Sequence, residues 1–144
     1  LKYGEEQVQI WRRSFDISPP LLSSDDERHP KFNKKFKNIS NLPLGESLKN
    51  VIERLMPFWE DYFEKIKNNQ GNHLIVAHSN SLRAIIKILD KLSEKEIVSV
   101  NIPTGVPLVY QFDLDFNIIE KKYLIDDETL REKQEIVLNQ GKVR

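Results

Sequence analysis

The chain has 144 residues, 39% hydrophobic and 31% charged, a length and balance that suit one soluble domain with a modest core. Lysine plus arginine equals aspartate plus glutamate at 22 each, so no net field draws the chain to nucleic acid or to an anionic membrane. Without cysteine it has no disulfide, thiolate nucleophile or cysteine-ligated zinc, and its three histidines have no metal-ligand spacing with one another.

The opening "LKYGEEQVQI" lacks the basic-then-apolar layout of a secretory signal, and no apolar run approaches the roughly 20 residues of a membrane span, which reads as a cytosolic protein. Starting at Leu1 without an initiator methionine, the sequence reads as a fragment. In "EEQVQIWRRSF", Val8, Trp11 and Phe15 recur at helical spacing and predict a short helix. From Asp16 to Leu44 the chain carries four prolines and no sustained period, which predicts a long loop of the kind that rims sites. The segment "ESLKNVIERLMPFWEDYFEKIKN" places Leu48, Val51, Ile52, Leu55, Trp59, Tyr62, Phe63 and Ile66 on one helical stripe, with Pro57 expected to bend the axis.

Next, "NHLIVA" reads as a buried strand and "SLRAIIKIL" as a helix, together half of a βαβ unit in an α/β fold. "SEKEIVSV" predicts a short helix with Ser93 and Glu96 in the capping-box spacing. After the turn-rich "NIPTGVP", the runs "LVYQFD" and "IIEKKYLI" predict an antiparallel pair joined by a turn from Leu114 to Asn117. The tail "DDETLREKQEIVLNQGKVR" has the acidic start of a helix and a mobile glycine-containing end.

Two places carry chemistry. His78 stands at the carboxyl end of the expected strand, followed by Ser79, Asn80 and Ser81, the residue types that cap a helix N-terminus. That edge of an open α/β sheet binds ligands, and the first helical turn offers free N–H groups to an anion. An imidazole donating there suits a phosphoryl oxygen whose charge grows during transfer. The competing reading is a histidine that only ends a strand. His29 and His73 read as structural or solvated.

Arg12 and Arg13 form the second place. Counted from Val8, Arg12 falls about 40° away and Arg13 about 140° away, so Arg12 is expected to point partly inward. A guanidinium near an apolar face needs a partner, either a structural carboxylate or a substrate carboxylate or phosphate held by its fork of donors.

Taken in order, "KYGEEQVQIWRRSFD", "DDERHP", "LPLGESL", "AHSNSLRAIIKILDKLSEKEI", "NIPTGVPLVYQFD" and "NQGK" resemble the C-terminal portion of the bisphosphoglycerate-dependent phosphoglycerate mutases, a family of the histidine phosphatase superfamily. The resemblance covers nearly the whole chain. It implies a three-layer α/β fold with a mainly parallel sheet, of which residues 1–144 are the C-terminal part of a single domain. It further implies interconversion of 3-phosphoglycerate and 2-phosphoglycerate through a phosphohistidine, with 2,3-bisphosphoglycerate as phosphoryl donor, no metal, and a homo-oligomeric state.

By position, the resemblance makes Arg12 and Arg13 substrate-binding arginines and His78 the second active-site histidine, with Ser79 and Asn80 contacting substrate. Two departures stand out. Ser79 replaces the family's usual glycine, which brings strain or crowding if the position needs positive φ or close approach by ligand, while a hydroxyl at a helix start equally offers a donor to phosphate. The family's Arg-His-Gly motif with the nucleophilic histidine and its Glu-Arg-His-Tyr motif with the acid/base glutamate are both absent from the 144 residues. The expectation is therefore a partial mutase, inactive as an isolated chain. Two alternatives stay open: part of another superfamily enzyme acting on a small phosphorylated metabolite, and a non-catalytic binding or assembly module.

Overall fold

The structure, a computed structural model, describes residues 3–69 and 71–140. Helix α1 spans Gly4–Arg13, with Glu5 and Glu6 in its first turn and Arg12 and Arg13 in its last, the charge order that the helix dipole favours. The long segment that follows is irregular apart from two single 3₁₀ turns, Pro30–Phe32 and Lys34–Phe36. His29 caps the first of these, its Nδ1 accepting from the Lys31 amide at 2.9 Å, and only 7% of the residue is exposed. It is structural, as expected.

Helix α2, Leu48–Asn68, begins at a reciprocal cap: the Ser47 hydroxyl accepts from the Asn50 amide and the Asn50 side chain accepts from the Ser47 amide. It runs unbroken through Pro57. Helix α3, Ser79–Leu89, lays Ala84 against Leu48 and Val51 of α2, and Ile97 of the one-turn helix α4, Glu96–Ser99, completes the cluster. Phe15, Ile52, Leu55, Leu92 and Val100 pack around it. Truncating a fully buried isoleucine such as Ile97 to alanine in such a core costs about 2–5 kcal/mol. The Ser93 and Glu96 pairing forms as its spacing predicts, with Glu96 Oε2 accepting from the Ser93 amide at 2.7 Å and Ser93 Oγ from the Glu96 amide at 3.2 Å.

Strands β1, Leu108–Phe112, and β2, Ile118–Tyr123, form the expected antiparallel hairpin, with Leu108 opposite Tyr123. Asp113 organises its turn by accepting from the amides of Asp115 and Asn117. The hairpin is tied to the end of α3, where Asp90 takes a 3.0 Å hydrogen bond from the Tyr110 hydroxyl and an ion pair from Lys121. Gly105, at φ +74°, makes the turn that leads into β1. Helix α5, Asp127–Asn139, is capped by Asp126, which accepts from the Thr129 amide at 2.9 Å. Of the closing motif "NQGK", Gly141 and Lys142 lie outside the described residues, as does the expected mobile end.

One expectation fails. The segment "NHLIVA" forms no strand, and none of its backbone groups is hydrogen-bonded to another segment among the described residues. Leu74 and Val76 are 84% and 85% exposed. The residues have strand character, but a strand exists only through its ladder, and no described segment is hydrogen-bonded to this one to supply it. The sheet seen is thus the two-stranded antiparallel hairpin, within an α/β arrangement of helices and strands.

Candidate functional site

His78 ends the unladdered segment and caps α3, with φ −61° and ψ 147°. Its Nδ1 accepts from the Asn80 amide at 3.3 Å, which leaves the ring proton of the neutral form on Nε2. The amides of Ser79 and Ser81 have no acceptor among the described residues, so the first turn of α3 keeps free donors. Ser79 is the first helical residue, and its φ is not positive. The serine is therefore free of backbone strain there.

The last turn of α1 comes to the same place. Arg12, Arg13, His78, Ser79 and Asn80 all line one cavity of about 480 Å³, between α1, the first turn of α3 and the end of α5. Pro19, from the long irregular segment, stands at its rim, as expected for part of that segment.

The arginines exchange the positions expected of them. Arg12 is exposed and donates to Gln140 Oε1 at 3.0 Å, whereas Arg13 is half-buried, donating through Nη2 to the Val137 carbonyl at 2.8 Å and through Nη1 to Asn101 Oδ1. The apolar stripe of α1 does not set its orientation, because α1 buries no residue fully. Docking on the last turn of α5 does: the carbonyl end of that helix is partly negative, and its Val137 carbonyl draws the guanidinium of residue 13 inward.

The charge balance of the cavity is uneven. Arg83 also lines it, buried, with Nη2 donating to the Ile97 carbonyl at 2.9 Å. Burial, and then the neighbouring Arg13, pull its pKa down to about 10; burial, and then Arg12, lower that of Arg13. Among the described residues no carboxylate stands within ion-pair distance of Arg12, Arg13 or Arg83. Glu46 lines the cavity but is gripped by Arg54 at 2.7 and 3.0 Å. The buried Nε atoms of Arg13 and Arg83 have no acceptor. Such an arrangement suits an anion rich in oxygen acceptors.

Sequence reading missed Arg83, Asn101 and Gln140. The available signal was Arg83 three residues after Asn80 and three before Ile86, hence on one helical face with both.

The sequence model of the histidine phosphatase superfamily (branch 1) matches residues 21–121. The chain belongs to this superfamily. It is 52% identical, over 98% of its length, to the 2,3-bisphosphoglycerate-dependent phosphoglycerate mutase of Treponema denticola. It is 49% identical to the proteins of the same name from a Hydrogenobaculum species and from Lachnoclostridium phytofermentans, over 97% and 99% of its length. The chain spans 58% of the length of each of these superfamily relatives. Among the described residues no helix is long and apolar enough to cross a membrane.

Proposed function

We propose that this superfamily chain is the C-terminal part of a phosphoglycerate mutase, and that the protein it belongs to interconverts 3-phosphoglycerate and 2-phosphoglycerate in the cytoplasm. The observation that carries the reading is the meeting of Arg12, Arg13 and the His78 cap of α3 in a cavity whose arginines have no carboxylate within ion-pair distance among the described residues. A phosphorylated three-carbon acid matches that deficit. It brings a carboxylate and a phosphate, and the cavity of about 480 Å³ has room for it.

In this reading Arg13 and Arg12 grip the charged ends of the substrate, a role for which their forked donors are suited. His78 Nε2–H, the free amides of Ser79 and Ser81 and the Ser79 hydroxyl face the oxygens on which charge accumulates during phosphoryl transfer. Asn80 adds its side-chain amide. The names of the relatives bring in 2,3-bisphosphoglycerate, and the arginines that line the cavity suit its two phosphates. Bound there, it would supply a phosphoryl group to the nucleophile. That nucleophile, the acid/base carboxylate and the strands that would make residues 72–77 part of a three-layer fold with a mainly parallel sheet are assigned to the portion of the relatives that this chain does not span.

The test is to produce the chain joined to an upstream region equal to the uncovered part of its relatives and to follow phosphoglycerate interconversion after priming with 2,3-bisphosphoglycerate. Interconversion supports the reading. Hydrolysis of small phosphate esters without interconversion would replace it with a phosphatase.

A further inference from the structure

Arg83 has the surroundings of neither a solvated arginine nor a salt-bridged one. Only 5% of it is exposed, no carboxylate among the described residues pairs with it, and its Nε has no acceptor. One Nη is anchored on the Ile97 carbonyl, and the other points at Asn80 Oδ1, 3.5 Å away. Since a guanidinium has donors only, it dictates which end of the Asn80 amide turns toward it. Oδ1 faces Arg83, and the two Nδ2 protons, which have no acceptor among the described residues, are left for the cavity that Asn80 lines.

We infer that Arg83 is a positioning residue of the anion site: it orients Asn80 as a donor toward the ligand and holds a fixed positive charge beneath the first turn of α3. The inference rests on the anion-binding reading of this cavity given above. Neighbouring positive charge from Arg13 makes the empty site electrostatically costly, and an incoming anion relieves that cost, so part of the affinity comes from a residue that the ligand need not touch.

The test uses the 144-residue chain labelled with ¹⁵N and titrated with 3-phosphoglycerate. In the unaltered chain the Asn80 Nδ2 and Arg83 Nε resonances both shift on binding. R83Q keeps a donor for Asn80 Oδ1 without the charge, and R83K keeps the charge without the fork. Both should weaken binding by about 10- to 100-fold, the loss of a charge-assisted hydrogen bond, and only R83K, whose side chain like that of arginine has donors alone, should retain the Asn80 shift. Circular dichroism identifies a variant that fails to fold, in which case the other decides. If neither folds, the two resonances of the unaltered chain decide. Binding to the unaltered chain that leaves either resonance unmoved, or variants that bind as it does, overturns the inference. No binding to the unaltered chain overturns the anion-site reading itself and this inference with it.

Discussion

The Arg13 guanidinium donates to the Val137 carbonyl at 2.8 Å, which ties the end of α1 to the last turn of α5 across 124 residues of sequence. Arg12, its neighbour, donates to the exposed side chain of Gln140. Arg13→Lys loses the fork that serves Val137 and Asn101 together. It should lower stability by about 1–3 kcal/mol in denaturant titrations and also weaken binding of phosphorylated ligand. Arg12→Lys should weaken ligand binding alone. Equal stability of the two variants would mean that the tie to α5 contributes nothing.

His78→Ala, placed in the chain completed by its upstream region, should slow phosphoryl transfer by about 100- to 1000-fold, with a much smaller change in Michaelis constant. A donor aimed at oxygens whose charge grows in the transition state acts mainly there. Steady-state kinetics at saturating substrate checks the split. Undiminished turnover would return His78 to the role of a helix cap.

Incubated alone with 2,3-bisphosphoglycerate, the 144 residues should acquire no acid-labile phosphate and should not isomerise phosphoglycerate. His29 is committed to the Lys31 amide through Nδ1 and buried. His73 is held by the Asn69 carbonyl at 2.9 Å. With His78 in the stabilising role proposed for it, none of the three histidines is left in line to attack. Mass spectrometry under neutral conditions detects the adduct if one forms.

Tyr110 and Tyr123 set an alkaline limit. Burial first, and then the Asp90 carboxylate that accepts from its hydroxyl, raise the Tyr110 pKa above the ordinary tyrosine value; burial chiefly raises that of Tyr123. The folded state therefore keeps protons that the unfolded state gives up above about pH 10, and the unfolded state binds fewer. Stability contributed by these groups is fully present below that pH and falls as pH rises beyond it. Denaturation midpoints between pH 9 and 11.5 should decline, and Tyr123→Phe should flatten the decline.

Much of this arrangement is legible from periodicity. The stripe from Leu48 to Ile66 gave α2 because a helix is stabilised by its own hydrogen bonds and one packed face, both local in sequence. The hairpin was legible for the same reason, its partners being separated by one short turn. The segment 72–77 was not, because its state depends on distant neighbours. The orientation of α1 escaped too: angular counting locates a helix's own apolar stripe, whereas the inward turn of Arg13 is decided by carbonyls of α5 more than a hundred residues on. Arg83 was hidden by composition, since a lone arginine in "SLRAIIKIL" gives no sign that its fork is enclosed.

The bare segment 72–77 has a consequence for the behaviour of the chain in a test tube. Leu74, Ile75 and Val76 form an uncharged, proline-free window of high β propensity, whose backbone has no hydrogen bond to another segment among the described residues. Such a window is a template for copies of itself: chains can stack edge to edge in register, each satisfying the amides of the next. Concentrated solutions should therefore seed fibrillar aggregates that bind thioflavin, at a rate rising with protein concentration. Val76→Lys, which puts a charge at every rung of the stack, should suppress them while leaving α2, α3 and their shared core intact.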